Sequence, residues 1–275
     1  MWTGIIEKCF LVYPLTIKRI LLQKGQFLGY NLIIHNLKGQ KMGLYDRDYT
    51  SGAYQGAQTA QRDEAHIVTF VKETYKLFAA SMLAGSVGAY VGVGMAAVIA
   101  PIKWPLFFIE IGLLIALHFV KRKPGINMMV LFAFTFMTGL TLGPLLSMVL
   151  GMSGGAAIVG NAFLMTTAIF GGLSYFAINT AKDFTTFGKP LMIALVVVIA
   201  GSLLNMFFFQ SPMLHILIQG AIVMVFSFMV LFDTQNIIRG LYETPIDGAI
   251  ALYLDFLNLF TALLQIMGIF GGSDD

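Results

Sequence analysis

Apolar residues dominate the chain in long blocks. From Phe70 onward, stretches of about 20 mostly apolar residues follow one another with short polar breaks between them. A helix needs about this length to cross the hydrocarbon core of a bilayer. The pattern therefore predicts seven membrane-spanning helices, and Asp255, Asn258 and Gln265 lower the hydropathy of the last one. The predicted spans cover residues 74–98, 104–120, 127–150, 156–179, 190–209, 214–238 and 248–270.

The breaks contain the Pro, Gly and charged residues that are typical of turns between helices. They read "APIKWP", "KRKPG", "GMSGG", "TAKDFTTFGKP", "QSPM" and "RGLYETPIDG", and none is long enough to hold a separate domain. We predict an all-α integral membrane protein whose residues 70–275 form one seven-helix bundle. Small residues in "AGSVGAYVGVG" and "FGGLS" predict close packing of the first and fourth spans.

The first 69 residues have a different composition, and we predict that they form a flexible or membrane-surface lead-in. Residues 1–41 mix short apolar runs with six lysines and arginines, which does not match a signal peptide. Two interpretations stay open. This basic segment lies on the membrane surface, or the native protein begins at Met42, where "MGLYDRDY" opens a polar stretch. We favour the second.

Composition supports the membrane class. Hydrophobic residues make up 57% of the chain and charged residues only 11%, too few to cover a soluble domain of this size. The formal net charge of +3 does not indicate nucleic-acid binding, and the single Cys9 excludes an internal disulfide.

Lysine and arginine alternate between the two sides of the predicted bundle. One side has a single such residue, Lys103, and by the positive-inside rule the richer side faces the cytoplasm. This places the N-terminus in the cytoplasm and the C-terminus outside. A six-span alternative with a re-entrant last segment would return the tail to the cytoplasm. The richer side holds Arg47, Arg62, Lys72, Lys76, Lys121, Arg122, Lys123, Lys182, Lys189 and Arg239.

Three carboxylates lie inside predicted spans: Glu110, Asp233 and Asp255. Ionisable residues at such depth are costly and usually face the bundle interior or water. Counted from the predicted helix ends, Asp233 and Asp255 lie roughly 8 and 10 Å deep on adjacent antiparallel helices. We therefore expect them to face each other.

Two carboxylates at close range cannot both ionise freely, so the pair is expected to share a proton. When deprotonated, the pair offers hard oxygen ligands for a transient cation such as calcium. Each aspartate is followed three residues later by an amide, Asn236 or Asn258, which is placed to orient the carboxylate or supply another oxygen. The alternative is that the two aspartates only hold the helices together by hydrogen bonds.

Lys121 and Arg122 stand at the cytoplasmic end of the second span, which also carries Glu110. They are possible ion-pair partners of an acidic gate, or ordinary positive-inside anchors. Metalloprotease and serine-hydrolase motifs are missing from the sequence, and the contexts typical of intramembrane aspartyl proteases are also absent. We therefore predict that the protein is not an enzyme and has no tightly bound cofactor.

"LFDTQNII" in the sixth span and "ALYLDFLNLF" in the seventh resemble the Bax inhibitor family of transmembrane proteins. The resemblance covers residues 42–270 and is strongest over 230–270. It implies a seven-helix fold with the last helix at the centre, and a pH-sensitive calcium leak in which Asp233 and Asp255 form the sensing pair. It also implies a role for Glu110, which matches the acidic residue of the family's second helix.

One departure from the family is visible. Some members have an arginine low on the second helix that pairs with the aspartates, whereas only Lys121 and Arg122 stand near that position here. Other bacterial members are linked to a membrane-bound ATP-dependent protease.

Our leading hypothesis is a pH-gated, calcium-permeable channel of a bacterial inner membrane, with the bilayer, calcium and protons as partners. A non-transporting protein that modulates a membrane-bound protease or stress survival is the main alternative, and a proton-coupled exchanger is a third.

Overall fold

The computed structural model describes residues 51–271, with side chains from Ala65 onward. Eight α-helices lie within this range, and one 3-10 turn and one π-helical turn flank α6 at Thr185–Phe187 and Asn205–Phe209. The helices are α1 (Ser51–Gly94), α2 (Ala96–Ile99), α3 (Lys103–Val120), α4 (Ile126–Leu150), α5 (Gly155–Asn179), α6 (Gly188–Leu204), α7 (Pro212–Ile238) and α8 (Pro245–Gly271).

Within residues 51–271, seven helical segments are long and apolar enough to cross a membrane, which confirms the predicted number. The fifth includes both turns around α6. Helix α1 covers Ser51–Gly94, so the last part of the predicted lead-in is helical and continues into the first span. Residues 1–50 and 272–275 lie outside the described residues, and the domain boundary at residue 69 stays a prediction.

Helix α8 is the centre of the bundle. In its apolar stretch 89% of the residues are buried, compared with 17–50% in the other six spans. It packs against α7, α5, α1 and α4, while α3 lies on α4 and α6 lies on α7. The central position of the last helix, expected from the family resemblance, is therefore confirmed.

The two helices that carry the aspartates begin with the same local signal, a hydroxyl residue followed by proline. Ser211 caps α7, since its Oγ accepts a hydrogen bond from the backbone N–H of Leu214 at 3.4 Å. Thr244 caps α8 and forms a reciprocal capping box with Asp247, at 3.4 and 3.1 Å. Proline at the first helical position needs no N–H partner. As a result, α8 begins three residues earlier than predicted.

Helices α1 and α4 touch through their backbones. A Cβ added to Gly139 would lie 2.0 Å from the carbonyl oxygen of Gly85, and one added to Gly143 would lie 2.1 Å from the carbonyl carbon of Gly92. This confirms the close packing predicted for the first span. The same prediction for the fourth span is wrong at Gly171 and Gly172, where an added Cβ would meet no described atom within 4 Å.

We expect Gly143→Ala to destabilise the protein by about 2 kcal/mol or more, because the new methyl group would force two helix backbones apart. Gly171→Ala is the matched control and should melt at or above the wild-type temperature, since alanine is the better helix former. Thermal unfolding in detergent measures both. Equal melting temperatures for the two variants would contradict the backbone contact.

Candidate functional site

Asp233 is fully buried near the end of α7, beneath the connection that leads to α8. Its Oδ1 accepts a hydrogen bond from the hydroxyl of Tyr242 at 2.6 Å. Tyr242 lies in that connection and is itself 7% exposed. The connection therefore folds back over the end of α7, and a tyrosine reaches inward from it to the carboxylate.

Asp255 is also fully buried, on α8. The register of α7 and α8 follows from Gly248, where an added Cβ would lie 3.0 Å from Cγ1 of Ile237. From that common level, Asp233 lies four residues and Asp255 seven residues into the bundle, or about 6 and 10 Å. The two aspartates therefore differ in level by about one helical turn or less on packed neighbouring helices. The shared proton stays a prediction.

Asn236 and Asn258 were expected to orient the carboxylates, but the structure shows other hydrogen bonds for them. Asn258 is fully buried, and its Nδ2 donates to the carbonyl of Leu254, one turn back on its own helix, at 2.6 Å. Asn236 is 5% exposed, and its backbone carbonyl accepts a hydrogen bond from the N–H of Leu241. Asn236 therefore helps to end α7 through its backbone.

Lys121 and Arg122 form ion pairs with the connection between α7 and α8. Both pair with Glu243, and Lys121 Nζ also lies 3.4 Å from Oδ2 of Asp247. Lys121 is the more buried of the two, with 13% side-chain exposure against 75% for Arg122. Their acidic partners are thus Glu243 and Asp247. Glu243 directly follows the tyrosine that binds Asp233.

A second ion pair joins the same connection to the α5–α6 connection. Arg239 Nη1 lies 2.9 Å from Oδ2 of Asp183. The hydroxyl of Thr185 and the guanidinium of Arg239 lower the pKa of Asp183 below its usual value. This pair therefore stays charged at neutral pH. Three connections, α3–α4, α5–α6 and α7–α8, meet at this end, which we call the basic end.

Glu110 lies elsewhere in the bundle, in a network of hydroxyl groups. Its Oε1 accepts a hydrogen bond from Thr141 of α4 at 2.5 Å. Thr138, one turn before Thr141, lies 2.7 Å from the hydroxyl of Tyr253, which also donates to the carbonyl of Thr135 at 3.0 Å. Glu110 is 2% exposed. The network joins α3, α4 and α8 through Tyr253, which precedes Asp255 by two residues in the sequence.

The residues that follow Asp233 attach α7 to its neighbours. Thr234 donates a hydrogen bond to Ser174 of α5 at 3.3 Å. Gln235 is 1% exposed and accepts a hydrogen bond from the N–H of Phe184 at 2.6 Å. Its Nε2 donates to the carbonyl of Lys182 at 2.8 Å. The "DTQ" triplet therefore fixes this end of α7 to α5 and to the α5–α6 connection.

Sequence reasoning missed Tyr242, Glu243, Asp247 and Tyr253. It also missed the three threonines of α4, although their spacing of three residues in "TFMTGLT" is a usable signal of a polar helix face. Tyr242 and Glu243 lie in "RGLYETPIDG", for which the sequence predicted only a turn.

The side chains of this site can exchange protons and can offer hard oxygen ligands to a cation. Across the described residues 51–271, no group of three or more His, Cys, Asp or Glu side chains is placed to hold a metal ion. Calcium takes six to eight oxygen ligands, so a calcium ion at the aspartates would also need amide, hydroxyl or water oxygens.

Comparison with known proteins gives the family. The family model described as inhibitor of apoptosis-promoting Bax1 matches residues 67–272. A protein of Campylobacter jejuni is 51% identical over 231 residues, which cover 82% of this chain and 97% of the relative. A Helicobacter pylori protein is 46% identical over 233 residues, covering 85% and 100%.

The Escherichia coli protein named modulator of FtsH protease YccA is more distant. It is 34% identical over 157 residues, which cover 57% of this chain and 70% of that protein. The match of the family model over most of the chain, together with the two closer relatives, identifies this chain as a member of the Bax inhibitor family of membrane proteins.

Proposed function

We propose that this protein is a pH-sensitive, calcium-permeable channel or leak of a bacterial inner membrane, with Asp233 and Asp255 as proton sensor and cation site. The observation that carries the proposal is the burial of both aspartates at similar levels on packed helices. A carboxylate in a membrane-spanning helix is costly and is usually retained for proton or ion chemistry.

The proposed gate is the α7–α8 connection. Tyr242 contacts the buried Asp233, while the next residue, Glu243, is held at the basic end by Lys121 and Arg122. When the aspartates share a proton, their mutual repulsion is small and the connection stays closed. Loss of that proton leaves two like charges in a site of low dielectric, and their repulsion favours separation of the helices and entry of a cation.

The basic end faces the cytoplasm in this proposal, with the N-terminus inside and the C-terminus outside. The excess of lysine and arginine at this end supports that orientation. Calcium and protons are transported species or transient ligands here, and the protein has a non-enzymatic role.

Calcium influx into dye-loaded vesicles that contain the purified protein should rise as pH rises through the range in which the aspartate pair loses its shared proton. Asp233→Asn and Asp255→Asn should each remove most of this pH dependence, because the neutral amide cannot titrate. Asp183→Asn, which changes an exposed aspartate at the basic end, is the matched control and should keep it. Unaltered flux in the Asp233→Asn/Asp255→Asn double variant contradicts the proposal.

Tyr242→Phe should raise calcium flux at a given pH by about fivefold to tenfold, since it removes one buried hydrogen bond worth about 1–1.5 kcal/mol that keeps the connection closed. Tyr175→Phe is the control, because that side chain is 72% exposed on α5. Flux in the same vesicles is the measurement. A Tyr242→Phe protein with wild-type flux would show that this hydrogen bond does not hold the gate.

A second candidate function is a non-transporting protein that modulates a membrane-bound protease. It is favoured by the similarity to the E. coli protein named modulator of FtsH protease YccA. This alternative predicts no calcium flux from the purified protein at any pH. It also predicts co-purification of an ATP-dependent membrane protease in mild detergent, with slower turnover of that protease's substrates. Flux without a bound protease would exclude it.

A further inference from the structure

The polar face of α8 continues beyond Asp255, away from the basic end. Asn258, Thr261 and Gln265 follow at intervals of three, three and four residues, which places them along one side of the helix. All three are fully buried. A row of polar side chains along about three turns of a central helix has no lipid to contact, so its hydrogen bonds must be made inside the bundle.

Hydrogen bonding fixes the direction of the Asn258 amide. Its Nδ2 donates to the carbonyl of Leu254 at 2.6 Å, and a carbonyl can only accept. The nitrogen must therefore face Leu254 and the oxygen must face away. Within the described part of the chain, Oδ1 of Asn258 accepts no hydrogen bond.

Hydrogen bonding also fixes the orientation of the side-chain amides of Gln265 and Gln219. Gln265 Nε2 donates to the carbonyl of Thr261 at 3.1 Å, so its Oε1 faces Gln219 of α7 and accepts a hydrogen bond from Nε2 of that residue at 3.3 Å. The side-chain oxygen of Gln219 is therefore the last acceptor in this series of hydrogen-bonded amides. Gln219 is 1% exposed, and no described residue donates to its Oε1.

Two buried amide oxygens, one on α8 and one on the neighbouring α7, thus have no donor among residues 51–271. Buried acceptors of this kind are satisfied by water or by cations. Neutral amide and carbonyl oxygens are also the ligands that replace the hydration shell of a permeating cation. Asn258 and Gln265, the partner of Gln219, are seven residues apart, or about 10 Å along α8.

We infer that Asn258 Oδ1 and Gln219 Oε1 are two successive cation-coordinating positions on the path that continues from Asp255 toward the side opposite the basic end. This inference rests on the proposed channel function and extends it: the aspartates sense protons, and the two amide oxygens conduct a partly hydrated calcium ion through the rest of the bundle. Neutral ligands bind a divalent cation weakly enough to release it, which conduction requires.

The test replaces each amide by an apolar side chain of similar size, Asn258→Leu and Gln219→Met, in the full chain. Thr261→Val is the matched control, because valine keeps the shape of the side chain and the Thr261 hydroxyl already forms a hydrogen bond to its own helix, at the carbonyl of Asn258. Calcium influx into vesicles is recorded from acid to neutral pH. We expect each amide variant to lower the maximal flux by about tenfold without moving the midpoint of the pH dependence, which belongs to the aspartates.

Thermal unfolding and gel filtration in detergent establish that each variant is folded. Asn258→Met and Gln219→Leu are the reserve substitutions, with the same chemistry and a different shape. Wild-type flux in a folded variant at either position overturns the inference, as does an equal loss of flux in Thr261→Val. If Asp233→Asn and Asp255→Asn alter flux while the amide variants do not, only this inference fails. If the wild-type protein passes no calcium, the channel proposal fails and the path fails with it.

Discussion

The structure depends on one constraint: α8 has almost no contact with lipid. A helix at the edge of the bundle could expose its apolar side to the bilayer and would need few internal hydrogen bonds. A helix surrounded by α1, α4, α5 and α7 can carry Asp255, Asn258 and Gln265, but their polar atoms must then be satisfied inside the bundle, by protein groups, water or a cation. Thr138 of α4 and Gln219 of α7 provide two of the partners of α8, at Tyr253 and Gln265.

Buried Asp233 is connected to the charged surface through the short α7–α8 connection. Surface ion pairs contribute little individually, and Arg122, with its exposed side chain, adds little to stability. Lys121 is largely buried and contacts both Glu243 and Asp247, so it has more influence on where the connection lies. Asp247 also completes the capping box of α8. One lysine therefore positions both the start of the central helix and the residue next to Tyr242.

The sequence was sufficient for the class, the number of spans and the burial of the two aspartates, because the length of an apolar run and the cost of a carboxylate in it are local properties. The depth argument also agreed with the register found at Ile237 and Gly248. Tyr242 and Glu243 were not predicted, since their role depends on how a turn folds back in three dimensions. Glycine content could not distinguish Gly139, which touches a backbone, from Gly171, which has open space beside it. That difference is decided by the neighbouring helix, which the local sequence does not specify.

The backbone contact between α1 and α4 has a mechanical consequence. Where two helices meet through side chains, rotamer changes can absorb a small sliding movement, but at Gly139 and Gly143 there are no side chains to adjust. Helices α1 and α4 should therefore move as one rigid unit. Gln235 similarly fastens the end of α7 to the α5–α6 connection. The α7–α8 connection is held instead by side-chain contacts of Tyr242 and Glu243, so it is the part of this end that rotamer changes can release.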